Sequence, residues 1–171
     1  MNFLKNIYVW TLKKAEHKNA KWYLSLISFA ESSFFPIPPD ILLIPMALAS
    51  KTKALLYAFI CTLSSVLGGV FGYAIGYFFF NSVGLYIVEF YHLENSFNIF
   101  ENYYKEFGIL IVLGAGITPF PYKFITIASG VFGLNIYLFV IVSIIGRGLR
   151  FYLIAILLYF FGEKIKLFID K

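Results

Sequence analysis

Five ionisable side chains interrupt stretches of the sequence that are otherwise apolar: Glu31, Asp40, Lys123, Arg147 and Arg150. An ionisable group is costly in apolar surroundings, so such groups usually bind a ligand or an ion. Of these five, the two acids lie in the first half of the chain and the three bases in the second. The pattern predicts a cavity in which the bases bind an anionic head group while a carboxylate takes up and releases a proton.

Arg147 and Arg150 are three positions apart, so a helix places them on one face. Guanidinium groups suit phosphate because they donate paired hydrogen bonds to it. Two simpler interpretations stay open. An acid of the first half pairs with Lys123 or an arginine to hold the halves together, or the arginines extend to a membrane interface.

The composition indicates a membrane protein. Only 13% of the 171 residues are charged and 60% are hydrophobic, whereas a soluble domain carries about 25% charged residues. Uncharged runs at 54–80 and 124–146 are long enough for helices that cross a hydrocarbon core about 30 Å thick. We therefore expect an all-α integral membrane protein with transmembrane helices at 54–80 and 133–162.

The lysines cluster near the chain ends and in the short Lys51–Lys53 loop, which is an orientation signal and does not indicate nucleic-acid binding. It predicts that both termini are cytoplasmic, with an amphipathic segment at 1–21, and that the glutamate-rich segment 81–106 lies outside. Lysines flank the apolar segment 22–50 on both sides. This segment should therefore enter and leave the membrane on the same side, as a re-entrant hairpin.

Two pairs of prolines mark the turns of two such hairpins, and they align at a shift of 83 positions: Pro36 and Pro38 with Pro119 and Pro121. The same shift places Lys123 on Asp40, and the apolar runs that follow align at a shift of 78. A second hairpin is therefore expected at 107–132. Each half is a re-entrant hairpin followed by a transmembrane helix. One span separates the halves, so the second is inverted, as in secondary transporters.

Other features predict packing and exclude some chemistry. Gly68, Gly72 and Gly76 form a stripe at helical spacing that allows close helix packing. Segment Glu94–Phe107 has the pattern of an amphipathic surface helix. The sequence has no metal-binding motif and no nucleophile with a histidine near it in sequence, so we expect no metal, no cofactor and no enzymatic activity.

The segment Glu31–Asp40, ESSFFPIPPD, resembles the Glu…Pro-x-Pro-x-acid motif of the DedA family, also called VTT-domain or SNARE-associated-Golgi-like proteins. GITPFPYKFITIASGVFG, from Gly116, is similar to the second re-entrant motif of the family's short YqaA-type bacterial branch. GGVFGYAIGY resembles its glycine-rich first span. The larger branch carries two arginines around the second motif, whereas this chain has only Lys123 there; Arg147 and Arg150 are candidates for the missing charge.

The resemblance implies a bacterial inner-membrane protein that moves undecaprenyl phosphate or phospholipids between leaflets, coupled to protons or sodium. It places the family's acids on Glu31 and Asp40 and a family arginine on Lys123. We therefore expect a lipid-phosphate translocase with membrane lipids as partners, alone or as a homo-oligomer. A proton-coupled ion or small-solute transporter and a non-transporting scaffold of envelope assembly stay open as alternatives.

Overall fold

A computed structural model describes residues 19–34, 37–92 and 94–169 of the chain. Every regular element in these ranges is helical, as expected for an all-α protein. Most of the N-terminal segment 1–21 and one of the turn prolines, Pro36, lie outside the described residues.

The described ranges contain seven α-helices. In chain order they are α1 (Ala20–Ser33), α2 (Asp40–Ala49), α3 (Ala54–Phe79), α4 (Leu85–Phe90), α5 (Glu94–Ile117), α6 (Tyr122–Val131) and α7 (Ile136–Ile169). A 3-10 turn at Lys51–Lys53 joins α2 to α3, and a π-helical turn at Phe80–Gly84 joins α3 to α4.

In the described ranges, two helices are long and apolar enough to cross a membrane: Lys51–Gly84, which includes α3, and Ile136–Gly162 of α7. They lie close to the expected transmembrane helices at 54–80 and 133–162, whereas the uncharged run 124–146 begins inside α6. The expected boundary between an external segment ending at 106 and a hairpin beginning at 107 is not a helix boundary, because α5 runs through it without a break.

Proline chemistry explains the two turns that precede α2 and α6. A proline lacks a backbone N–H and disfavours helix at the residue before it, so α1 and α5 cannot continue through these segments. Its fixed φ suits the start of the next helix instead. Pro39 accordingly precedes α2 with φ −66°, and Pro121 precedes α6 with φ −61°.

The helix starts repeat with a single offset. Helix α6 begins 82 positions after α2 (40 and 122), and α7 begins 82 positions after α3 (54 and 136). The sequence alignment used shifts of 83 and 78. At the two turns the shift of 83 holds, since Ile41 N–H donates to the Pro38 carbonyl and Phe124 N–H donates to the Pro121 carbonyl, both at 3.3 Å. Pro39 already has helical geometry with ψ −17°, whereas Pro121 is extended with ψ 101°, so Pro121 corresponds to Pro38 and Lys123 to Asp40.

Helices α3 and α7 pack side by side in the centre and run antiparallel, since Thr62 lies near Gly148 and Gly69 lies near Phe139. Helix α1 packs on α3, and α5 packs on α7. Each short helix contacts the long helix of the other half, α2 with α7 and α6 with α3. The turns before α2 and α6 are thereby brought together.

The glycine stripe of α3 lies where other chain segments come closest. A Cβ at Gly68 would be 2.1 Å from the carbonyl oxygen of Phe29, and a Cβ at Gly76 would be 2.0 Å from that of Ile127. At Gly72 it would lie 2.4 Å from Thr126 Oγ1. Only a residue without a Cβ allows α1 and α6 to approach α3 so closely.

Candidate functional site between the proline turns

A cavity of about 320 Å³ lies between the two proline turns. Its walls include three of the turn prolines, an acid, two bases and one aromatic ring: Pro38, Pro119, Pro121, Glu31, Lys123, Arg150 and Phe124. The prolines keep the backbone of both turns out of helical geometry. Charged side chains from α1, α6 and α7 therefore meet in one opening.

Arg150 connects the two turns. Its Nη2 donates to Asp40 Oδ2 at the start of α2, and its Nη1 donates to the backbone carbonyl of Thr118, 2.6 Å away, after the end of α5. The side chains of this ion pair are only 12% (Arg150) and 20% (Asp40) exposed. The second carboxylate oxygen of Asp40, Oδ1, is buried and has no hydrogen-bond partner among the described residues.

Arg147, one helical turn before Arg150, is fully buried and does not line the cavity. Its guanidinium carbon lies 4.9 Å from the ring centroid of Tyr122 and 4.8 Å from that of Phe151. Both rings therefore make cation–π contacts with it. The interpretation that this arginine extends to a membrane interface is wrong, because its side chain is fully buried.

A closed ring of hydrogen bonds holds Arg147 to Glu31. Arg147 Nη2 donates to Glu31 Oε2 at 2.5 Å, and Nε donates to Ser65 Oγ, also at 2.5 Å. Ser65 bonds Ser32 at 2.6 Å, and the Ser32 hydroxyl donates to Glu31 Oε2 at 3.1 Å. The remaining guanidinium nitrogen, Nη1, is buried without a partner in the described part of the chain.

Glu31 links this buried ring to the cavity. It is only 7% exposed, yet it belongs to the cavity wall. The same carboxylate therefore contacts a sealed arginine and borders the space where a ligand would lie. Glu31 is thus the residue through which the cavity and Arg147 are connected.

Lys123 differs from Arg147 and Arg150. Among the described residues, no carboxylate lies within ion-pair distance of its ammonium group. It is half-buried, with Nζ 5.2 Å from the ring centroid of Phe124. Glu31 and Asp40 are each paired with an arginine, so the group of two acids and three bases keeps a formal charge of +1 at Lys123. The cavity is therefore electrostatically suited to an anion.

The side chains that support these charges were not predicted from the sequence. They are Ser32 and Ser65 in the hydrogen-bonded ring, Tyr122 and Phe151 around the guanidinium, and Ser143, whose hydroxyl bonds the Tyr122 hydroxyl at 2.6 Å. One signal was available. Serines recur at helical spacing along α1, and Ser28 and Ser33 donate to carbonyl groups of α3, those of Cys61 and Gly68.

No group of three or more His, Cys, Asp and Glu side chains in the described ranges has the arrangement of a metal site.

No family model and no solved structure matches the chain. Two bacterial proteins do. An uncharacterized protein of Haemophilus influenzae is 37% identical over 164 residues, which cover 96% of this chain and 85% of the relative. The uncharacterized protein HI0703 homolog of Histophilus somni is 35% identical over the same shares of both chains. With this identity over nearly the whole length, the chain belongs to the family that these two bacterial proteins represent.

Proposed function

We propose that the protein is a membrane transporter that moves the phosphate head group of a lipid between the two leaflets of the bacterial inner membrane. The observation that carries this proposal is the cavity between the proline turns, whose wall contains Arg150 and a lysine, Lys123, that has no carboxylate partner among the described residues. The lipid is a phospholipid or a polyprenyl phosphate of the undecaprenyl type, and both present the same anionic phosphate.

The helix arrangement supports transport. Antiparallel α3 and α7, each preceded by a short helix that packs on the opposite half, are consistent with an inverted repeat of a re-entrant hairpin and a transmembrane helix. In secondary transporters with this architecture the substrate binds near the membrane midplane, where broken helices meet. Non-helical backbone is tolerated at that depth only when it lines a cavity or is buried in protein.

The outer surface supports a membrane location. Large apolar side chains remain exposed along the outer faces of both long helices, among them Leu63, Leu67 and Phe71 of α3 and Leu149 and Leu153 of α7. Soluble proteins rarely expose continuous apolar surface on this scale. Such a surface is stable where hydrocarbon covers it.

Within the cavity, Lys123 would bind a phosphate oxygen and Arg150 would contribute its guanidinium once Asp40 releases it. A phosphate and the Asp40 carboxylate compete for the same donor, Arg150 Nη2. Protonation of Asp40 favours the phosphate, which is how proton uptake would be coupled to head-group binding. Arg147 is a positioning residue in this scheme, because it contacts Glu31 and not the ligand.

A structural role is the second candidate, and the two ion pairs favour it. Each pair joins a helix of the first half to α7, as expected for contacts that only hold the halves together. Such a scaffold in envelope assembly would need the pairs but not the free charge of Lys123. The contribution of Lys123 therefore distinguishes the two candidates.

The test is a lipid-scrambling assay in proteoliposomes, with labelled phospholipid in one arm and labelled polyprenyl phosphate in the other. We expect Lys123→Gln to reduce head-group movement at least tenfold while the protein remains folded. Lys105→Gln is the matched control, since Lys105 lies on α5 in a surface pair with Glu101 at 2.7 Å. Equal rates for Lys123→Gln and the unchanged protein in both arms would remove the proposal, and pH-dye flux without lipid movement would indicate a proton-coupled transporter of small solutes.

A further inference from the structure

A groove runs along the outer side of the α1–α3 helix pair, away from the cavity between the turns. It consists of two adjoining cavities of about 340 Å³ and 330 Å³, which share Trp22, Ser25 and Ser64. We call it the α1–α3 groove. Together the two cavities are lined by residues 21–29 of α1 and 59–67 of α3.

The groove suits an apolar chain. Its walls carry Leu26, Leu63 and Leu67, which are 65%, 51% and 55% exposed. The two polar side chains in its floor, Ser25 and Ser64, bond each other at 2.7 Å. Since these hydroxyl groups already have a partner, an occupant without hydrogen-bonding groups leaves neither of them unpaired.

One end of the groove is basic. Lys21 lies there beside Trp22, which is 77% exposed. Helix α1 runs parallel to α3, as the bonds from Ser28 to Cys61 and from Ser33 to Gly68 show, so Lys21 is level with the first turns of α3. Neither α3 nor the part of α1 before Glu31 contains an acidic residue.

We propose that the α1–α3 groove binds one acyl chain of an anionic phospholipid, with the lipid phosphate beside Lys21 and Trp22. Lysine and tryptophan are typical of the level at which head groups lie, and the leucines continue from there toward the middle of α3. The proposal requires that α3 crosses a bilayer. It does not require that the protein transports lipid, because the groove and the cavity between the turns have separate walls.

Tryptophan fluorescence tests the proposal. The chain has two tryptophans, Trp10 and Trp22, so Trp10→Phe leaves Trp22 as the single reporter. The protein is reconstituted in vesicles that contain phosphatidylcholine and either brominated phosphatidylglycerol or brominated phosphatidylcholine at the same density. Bromine on the acyl chain quenches the fluorescence of a tryptophan that it contacts.

We expect quenching to report a preference of about fivefold for phosphatidylglycerol, since one lysine near the membrane surface contributes about 1 kcal/mol to binding of an anionic lipid. Lys21→Gln should abolish the preference. Lys105→Gln, which removes a lysine of α5 outside the groove, should retain it. Lys123→Gln should also retain it, which separates this result from the outcome of the transport assay.

Equal quenching by the two lipids would overturn the proposal, and so would a preference that survives Lys21→Gln. Weak quenching by both lipids would also overturn it, since this result means that residues 1–18 or a second copy of the chain cover Trp22. Leu67→Trp in a variant that lacks Trp10 and Trp22 provides a second reporter further along the groove. It should be quenched by bromine nearer the end of the acyl chain.

Discussion

The buried pair of Glu31 and Arg147 allows a quantitative prediction for Glu31→Gln. The substitution keeps the shape of the side chain and removes the negative charge. Arg147 has 0% exposure and therefore cannot recover water as a partner. An uncompensated buried charge costs about 3–5 kcal/mol. We expect the low end, about 3 kcal/mol, because the amide oxygen of glutamine still accepts a hydrogen bond from Nη2.

The double variant Glu31→Leu with Arg147→Met should behave differently. It removes both charges, and replacing a buried ion pair by apolar side chains of similar size is often neutral or stabilising. Ser32 and Ser65 remain satisfied because they bond each other at 2.6 Å. We therefore expect its free energy of unfolding to lie within about 1 kcal/mol of that of the unchanged protein. Since each single substitution is destabilising, the loss in the double variant is then much smaller than the sum of the two single losses, which is a large coupling energy between the two positions.

The control is Asp40→Asn, which neutralises the acid of the other pair. Its side chain is 20% exposed and that of Arg150 is 12% exposed, so water partly replaces the lost partner. We expect a loss of about 1 kcal/mol, near the upper value for partly exposed pairs.

Unfolding in mixed micelles with increasing denaturing detergent, followed by circular dichroism, measures all of these variants. The reasoning is refuted if Glu31→Gln costs no more than Asp40→Asn. It is also refuted if the double variant loses as much free energy of unfolding as Glu31→Leu and Arg147→Met lose together when measured singly. In that case the charge of Arg147 does not depend on Glu31 for its compensation.

Two further substitutions test the packing. Gly76→Ala should destabilise the protein by about 1–3 kcal/mol, because its Cβ would lie 2.0 Å from a backbone oxygen of α6 and the helices would have to separate. The control is Gly114→Ala, which has nothing within 4 Å of its Cβ and should be neutral or stabilising by up to about 1 kcal/mol. Equal losses of the two variants in thermal unfolding would contradict the close packing at Gly76. Tyr73→Phe should cost about 1 kcal/mol, because the Tyr73 hydroxyl donates to the Leu134 carbonyl at 2.7 Å and ties α3 to the loop before α7. Hydrogen exchange at residues 131–135 checks this, and unchanged protection there would show that the bond does not hold the loop.

Local properties of the sequence were sufficient to locate most elements. The uncharged run 54–80 predicts a long helix, and the observed α3, Ala54–Phe79, nearly coincides with it. The prolines predicted both turns in the same way, because the missing N–H of a proline removes a hydrogen bond from the helix in which it would lie. The prolines also aligned the two halves at the turns, since the carbonyls of Pro38 and Pro121 accept the first backbone bonds of α2 and α6, both at 3.3 Å.

The sequence also identified the five charges that meet near the turns, because an ionisable residue in an apolar run is unusual in any fold. It did not determine which acid pairs with which base. Glu31 and Arg147 are 116 positions apart, and Asp40 and Arg150 are 110 positions apart. No pattern within one helix specifies such pairs.

Only the tertiary structure decided this pairing. Arg147 bonds Glu31 and Ser65 in the closed ring and Arg150 bonds the carbonyl of Thr118 at the turns, although one helical face carries both arginines. The same packing leaves Lys123 without an acid among the described residues. The sequence by itself determined the helices, the breaks between them and the presence of buried charge. The contacts between helices determined which charge remains free to bind a ligand, because charge compensation depends on distances between residues that are far apart in the chain.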